Sequence, residues 1–207
     1  MTEWPSTTVG EHVTRRLEPV ALAPDVEYAS LGIRYDEGVY IRNVKLGREL
    51  RTKMCRVQAG DFIYCILDSQ RGPFDLVPEE MNDAVTNKFP RYSVGAGLIS
   101  EFLKLTFQRQ ATLDAIGMAR QGAGGRSEWK PDQFEAHVIP FPDSAVQARI
   151  VEIVSAVDRV IDTLKTEIKA AQVVRVALPD ELLRRRDETW YEAPLAISAP
   201  SHGESAS

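Results

Sequence analysis

The feature that most constrains the fold is the stretch of residues 139–178, in which a proline step precedes a long heptad pattern. Pro140 and Pro142 interrupt regular structure, because proline fixes its own backbone angle and restricts the residue before it. Asp143 and Ser144 follow and provide side-chain oxygens that can cap a helix. We therefore predict a helix that begins directly after the proline step.

The apolar residues that follow are separated alternately by four and three positions. They are Ile150, Val154, Val157, Ile161, Leu164, Ile168 and Ala171. A spacing that repeats every seven residues produces a narrow apolar seam, which is typical of a helix that packs against another helix. We predict a long dimerisation and spacer helix over residues 143–186, which ends or kinks near Pro179. Residues 187–207 are small and proline-rich, and we predict a disordered tail there.

Residues 1–142 predict one globular α+β domain that is rich in short strands. Apolar and polar residues alternate over residues 28–44 around the turn Asp36–Gly38, which indicates a hairpin. A second hairpin is predicted from residues 54–57 and 62–67, and further strands from residues 74–77, 84–94 and 134–141. Residues 98–119 carry the period of a helix pair, and residues 13–17 suggest a helical turn.

The distribution of charge is uneven along the chain. The formal net charge of -5 argues, taken alone, against a nucleic-acid-binding protein. Between Arg42 and Arg56, however, the chain has six basic residues and one acidic residue, Glu49. Such a cluster suits a surface that faces phosphates, and it suits equally a solvated strand edge that lysine and arginine protect from aggregation.

Cysteine, histidine and hydropathy patterns limit the remaining classes. Cys55 and Cys65 lie in apolar, strand-like runs, which favours buried free thiols over a disulfide. The histidines are isolated from one another, so no metal site is predicted. No apolar run approaches the length of a membrane span, and no signal segment is evident, so we expect a cytoplasmic protein.

The sequence lacks the motifs that would identify an enzyme. It contains no nucleophile elbow, no zinc-protease motif, no phosphate loop and no dinucleotide fingerprint. The Asn/Asp-Pro-Pro-aromatic tetrad of base methyltransferases is also missing. We therefore predict a binding protein without catalytic residues, cofactor or metal of its own.

The order of these features resembles the specificity subunit of type I restriction-modification systems. The strongest match is IPFPDSAVQARIVEI at residues 139–153, in which the proline step precedes Gln147, Arg149 and Ile150. The other matching segments are YASLGIRYDEGVYIR at residues 28–42, VQAGDFI at residues 57–63, Arg71-Gly72, Val77-Pro78-Glu79, Asn87–Phe89 and Gly122–Arg126. The match covers roughly residues 4–185. It implies a DNA target-recognition domain at residues 1–142, followed by one long helix.

The resemblance implies a half-length subunit, because family members usually carry two recognition domains and two long helices. An unshared apolar seam would be exposed in a monomer. We therefore expect a homodimer, or a pair with another half-length subunit, whose helices pack antiparallel through Ile150, Val154, Val157, Ile161, Leu164 and Ile168. About 34 helical residues give a spacer of about 50 Å, or about 15 base pairs.

The function implied by the resemblance is to read one half of a bipartite DNA site and to dock methyltransferase and restriction subunits. S-adenosylmethionine would bind only to the partner methyltransferase subunit. The predicted contacts to DNA phosphates are Arg42, Lys45, Arg48, Arg51 and Lys53. The predicted contacts to base edges are Gln70, Arg71, Arg91, Arg120, Gln121 and Arg126.

Two other classes remain open from the sequence. The chain could be the recognition module of another phage-defence or DNA-modification complex. It could also be a coiled-coil adaptor that binds protein rather than DNA.

Overall fold

A computed structural model of the chain describes residues 4–119 and 128–184, with side chains described as far as residue 179. The chain divides into two compact units, the first ending at Ala156 and the second beginning at Val157. The strands are β1 (Ser6–Thr8), β2 (Val13–Arg15), β3 (Glu27–Arg34), β4 (Gly38–Leu46), β5 (Cys55–Arg56), β6 (Phe62–Tyr64), β7 (Phe74–Leu76), β8 (Val85–Thr86), β9 (Arg91–Val94) and β10 (Val138–Pro140). The helices are α1 (Ser100–Gln108), α2 (Gln110–Ala119), α3 (Pro131–Glu135) and α4 (Ser144–Arg184).

Three small sheets organise the first unit. Their strand orders are β1-β10, β2-β9-β6-β7 and β4-β3-β8-β5. β3 and β4 form the predicted antiparallel hairpin, with an irregularity between Ser30 and Leu31. β8 pairs in parallel with β3, where Ser30 lies opposite Val85. This long-range pairing brings residues 85–88 beside the basic segment that follows β4.

Alternation along β6 divides the core into two clusters. Phe62 and Tyr64 belong to an aromatic cluster that includes Phe107 and Trp129, whereas Ile63 belongs to an aliphatic cluster under the β3–β4 hairpin. This division follows from strand geometry, because successive side chains point to opposite faces. The aromatic cluster is tightly connected, with the Phe74 and Phe107 ring centroids 4.9 Å apart.

Most of the predicted elements are confirmed, and three local predictions are wrong. Residues 54–67 do not form a hairpin, since β5 pairs with β8 whereas β6 pairs with β7 and β9. Residues 13–17 contain β2 rather than a helical turn, because β2 pairs with β9. Residues 134–141 are only partly a strand: α3 begins at Pro131, a residue well suited to a first helical turn, and precedes the short β10.

The long helix begins where the sequence predicts. Asp143 caps it, since the Asp143 carboxylate accepts a hydrogen bond of 2.9 Å from the Val146 amide. The helix does not end at Pro179, because α4 continues to Arg184. The kink predicted there stays a prediction, and the predicted tail of residues 187–207 lies outside the described residues.

Gln147 fastens the beginning of α4 to the first unit. Its side chain is fully buried. The amide oxygen accepts a hydrogen bond from the Ile99 amide at 2.9 Å, and the amide nitrogen donates to the carbonyls of Gly97 and Pro142 at 3.0 and 2.9 Å. Ile150 packs against the aromatic cluster one turn later. The first turns of the helix are therefore part of the globular unit.

The remaining expectations concern cysteine, metal and membrane. Cys55 and Cys65 are free and half-buried, and burial raises the pKa of the Cys65 thiol. Over residues 4–119 and 128–184, no group of acidic, histidine or cysteine side chains could hold a metal ion. None of the helices in these ranges combines the length and the apolar character needed to cross a membrane.

Candidate nucleic-acid interface

A first basic cleft of about 190 Å³ lies between the β3–β4 hairpin, the segment after β4 and the residues that follow β8. Its cationic lining residues are Arg42, Lys45, Arg51 and Lys88, and its acidic lining residue is Glu49. The Glu49 carboxylate accepts a hydrogen bond of 3.0 Å from the Leu46 amide, so this acid is engaged by the backbone. The cleft therefore presents an excess of positive charge.

Two residues that line the first basic cleft each have a buried polar atom without a hydrogen-bond partner among the described residues. These atoms are the Ser30 hydroxyl oxygen and the Asn43 side-chain carbonyl oxygen. Ser30 is only 9% exposed. Both atoms are shielded from solvent, so they belong to the wall of the cleft and do not form part of its contact surface.

A second basic cleft of about 220 Å³ adjoins the first, and both are lined by Thr86, Asn87 and Lys88. The cationic residues that line the second cleft are Arg15, Arg16, Lys53, Lys88 and Arg91. No carboxylate lines it among the residues that the structure describes. Arg16 is nevertheless paired, since its guanidinium Nε lies 2.7 Å from the buried Asp61 carboxylate.

The structure brings four of the five predicted phosphate contacts to these clefts. Arg42, Lys45 and Arg51 line the first cleft, and Lys53 lines the second. Arg48 differs, because its guanidinium is ion-paired with the Asp25 carboxylate and it lines neither cleft. Its positive charge is therefore partly neutralised within the protein.

The predicted base contacts are more dispersed. Arg71 is exposed and lines a separate cleft of about 360 Å³ together with Arg34 and Tyr35. Gln70 is half-buried, and its carbonyl oxygen is buried without a partner in the described part of the chain. The structure therefore gives no support for Gln70 as an exposed reader of bases. Arg120, Gln121 and Arg126 lie outside the described residues.

Arg91 requires a correction, because the structure buries it. The residue begins β9 and is only 5% exposed. Its guanidinium donates to the Glu18 carbonyl at 3.5 Å, and its Nε lacks a partner within the described ranges. A side chain held in this way forms the wall of the second cleft and does not extend to a base edge. The expectation of a base contact at Arg91 is therefore dropped.

Sequence reasoning missed the residues that connect the two clefts. Asn87 and Lys88 are exposed, and Arg15 reaches the second cleft from β2. Little in the sequence indicated their role, because Asn87 and Lys88 lie in a segment predicted as strand. Only the pairing of β8 with β3 and β5 places them beside Arg42 and Lys53. Non-local strand pairing, rather than residue spacing, assembles this surface.

The predicted helix seam is divided between two environments. Ile150 and Val154 are half-buried and line an open groove of about 810 Å³ with Trp4, Phe102 and Leu105. The remaining seam residues are 41–58% exposed, namely Val157, Ile161, Leu164 and Ile168. The first unit thus partly covers two members of the seam, and the other four are open to solvent.

Neither a protein-family model nor a curated protein matches the chain. Solved structures, in contrast, do match it. The crystal structure of the HsdS subunit from Thermoanaerobacter tengcongensis has a TM-score of 0.63 and 16% identity, over 91% of this chain and 52% of that chain. A structure concerned with complex assembly and conformational transition of the type I R-M system has a TM-score of 0.63 and 13% identity, over 92% and 52%. The chain therefore spans about half the length of these structures and shares their fold, which confirms the predicted α+β class.

Proposed function

We propose that the chain is the sequence-specific DNA-recognition subunit of a type I-like restriction-modification system. The observation that carries this proposal is the pair of adjoining basic clefts on a domain with the HsdS fold. The net charge of -5 does not oppose it, because binding depends on the local field of the surface that faces DNA.

Free cations in the clefts are suited to neutralise phosphates. Arg42, Lys45 and Arg51 are exposed, and within the described ranges none of them forms a salt bridge. A cation that is not already paired releases a counterion when it meets a phosphate, and this release supplies affinity without sequence preference. Lys53 would act in the same way from the second cleft.

The exposed part of the α4 seam supports a homodimer, or a pair with another half-length subunit. Four large aliphatic side chains on one helical face, each about half exposed, form a surface that association would remove from water. Two antiparallel copies would place two recognition domains at the ends of a common spacer. Such a dimer reads a bipartite palindromic site, because the symmetry of the half-sites matches that of the protein.

The chain would act as a non-catalytic subunit that docks a DNA methyltransferase subunit and a restriction subunit. S-adenosylmethionine would then bind to the methyltransferase partner, and the chemistry would belong to the partners. This chain would contribute the choice of site and the distance between half-sites.

Salt-dependent DNA binding tests the proposal. We expect the full chain to bind fluorescently labelled duplex DNA, with an affinity that falls steeply as salt rises in an anisotropy titration. Lys45→Ala should reduce the slope of log K against log salt by about 0.9, the value for one lost phosphate contact. Lys165→Ala is the matched control, since Lys165 is exposed but paired with Asp162 at 3.3 Å and lies outside the basic clefts. Salt-independent binding, or no binding, would refute a DNA-recognition role.

A coiled-coil adaptor is the second candidate, because exposed apolar residues continue along α4 beyond the heptad seam. They include Val173, Val174, Val176 and Leu178. An adaptor would bind protein through the helix and would show no salt-dependent affinity for DNA. The same titration separates the two functions.

A further inference from the structure

The two basic clefts share a short ridge, which we define as the three residues that line both of them: Thr86, Asn87 and Lys88. Thr86 is buried and ends β8, whereas Asn87 and Lys88 are exposed. The ridge therefore has a buried base and two exposed polar side chains at its crest.

Hydrogen bonds hold the crest in place. The Lys88 amide donates to the Thr86 hydroxyl at 3.2 Å, and the Asn87 side-chain amide donates to the Thr52 hydroxyl at 2.8 Å. Among the described residues, the Asn87 carbonyl oxygen and the Lys88 ammonium group make no side-chain hydrogen bond or salt bridge. An amide oxygen and an ammonium group thus remain available for a ligand, on a backbone that is already ordered.

Cations flank this ridge on both sides. Arg42, Lys45 and Arg51 lie in the first cleft, and Arg15 and Lys53 lie in the second. Each cleft also contains a residue that is at least nine-tenths buried with an unpartnered polar atom, Ser30 in the first and Arg91 in the second. Both atoms are shielded from solvent, so the phosphate contacts in the clefts are assigned to the exposed cations.

A ridge with cations on both sides matches a groove of duplex DNA, which has phosphates on both sides. We propose that the ridge enters the major groove of the recognised half-site, with the phosphates of the two strands in the two clefts, so that Asn87 and Lys88 determine specificity. The major groove fits because it is about 12 Å wide and admits a β-ribbon. It also presents adenine and guanine edges that asparagine and lysine recognise. This inference rests on the proposed function and adds the residues that read the sequence.

Selection from a library of duplex DNA with a randomised centre tests this inference. The full-length wild type should enrich a defined sequence. Asn87→Ala and Lys88→Ala should each lose discrimination at one or two positions of that sequence, by roughly 5- to 150-fold against the best wrong base. Lys45→Ala should bind the same sequence more weakly with unchanged preferences. Lys165→Ala, which changes the second unit and neither cleft, should match the wild type.

A second measurement identifies the groove. Replacing adenine or guanine by its 7-deaza analogue at the affected positions should weaken wild-type binding but leave the corresponding alanine variant unchanged. If Asn87→Ala and Lys88→Ala keep the wild-type preferences at every position, the ridge does not read bases and the inference is overturned. If the wild type enriches no sequence, the proposed function itself fails. Thermal melting of each variant verifies that these exposed substitutions leave the fold intact.

Discussion

Gln147 shows how a single side chain anchors the beginning of the long helix in the first unit. It lies fully buried in the first turns of α4, and its side-chain amide forms hydrogen bonds with the Ile99 amide and with the carbonyls of Gly97 and Pro142. These three backbone groups belong to the loop before α1 and to the proline step. Without the glutamine they would be left in a buried environment without partners, which is costly.

Substitution of Gln147 by leucine should therefore destabilise the protein. Leucine has a similar size but its side chain cannot form hydrogen bonds. We therefore expect the free energy of unfolding to fall by about 1–3 kcal/mol or more, because leaving one buried polar group unpaired costs about this much. Urea denaturation followed by circular dichroism measures the change. Gln108→Leu is the matched control, because Gln108 is exposed at the end of α1 and should change stability by less than about 0.5 kcal/mol. Equal effects at the two positions would contradict the anchoring role.

At the residue scale, sequence reasoning located Gln147 through its motif but could not give its partners. Gly97 and Ile99 are far from it in the chain, and only the folded domain brings them together. The same reason explains Arg91. Its sequence context suggested an accessible cation, but β9 pairs with β2 and β6, and this pairing buries the side chain. Residue types are visible in a sequence, whereas burial depends on the whole fold.

At the scale of elements, α4 and the β3–β4 hairpin could be predicted because their signals are local. A heptad repeat and a turn between two alternating runs need no information from distant residues. The second predicted hairpin was wrong for the opposite reason. The Val57 amide donates to the Ala84 carbonyl at 2.9 Å. The segment before the Gly60 turn therefore pairs with the β8 region and not with the strand that follows the turn. The basic clefts could not be predicted, since that same pairing creates them.

Leu164 provides the test of the α4 seam as an element. In a dimer each copy would bury this side chain, which is 51% exposed in the single chain. Leu164→Asp should remove this burial and place a charge in the contact. We expect association to weaken by at least about 1.5–3 kcal/mol per dimer, since each of the two leucines would bury about half of a side chain whose full burial contributes roughly 1.5–3 kcal/mol. Sedimentation equilibrium at micromolar concentration should then show a dimer for the wild type and a monomer for the variant.

Thr163→Asp is the control for this experiment, because Thr163 lies on α4 beside the seam and is also exposed. It introduces the same charge without removing a seam residue, and we expect it to remain dimeric. A monomeric wild type would disprove the dimer. A dimeric Leu164→Asp variant would place the contact on another surface.

At the scale of the whole molecule, the chain corresponds to about half of the solved structures that share its fold, since it covers 52% of each. Under the proposed function, one chain would bind one half-site. Two copies joined through their helices would then occupy two half-sites at once, and the second contact would become effectively intramolecular. Affinity for a bipartite site would therefore depend on the helix even though the helix contributes no contact to DNA bases.

A chain that ends at Ala156 separates these contributions. It retains Gln147, Ile150 and the packing of the first turns of α4 on the aromatic cluster, so we expect a cooperative melting transition close to that of the full chain. It should be monomeric and bind a bipartite site about 10²- to 10⁴-fold more weakly than the full-length dimer, because avidity is lost. Its affinity for a single half-site should equal that of one domain in the full chain.

A chain ending at Phe141 is the contrasting variant: it lacks Gln147 and Ile150 and should melt at a lower temperature. If the chain ending at Ala156 retained full affinity for the bipartite site, dimerisation through the helix could not be the source of that affinity, and the recognition domain itself would have to contact both half-sites.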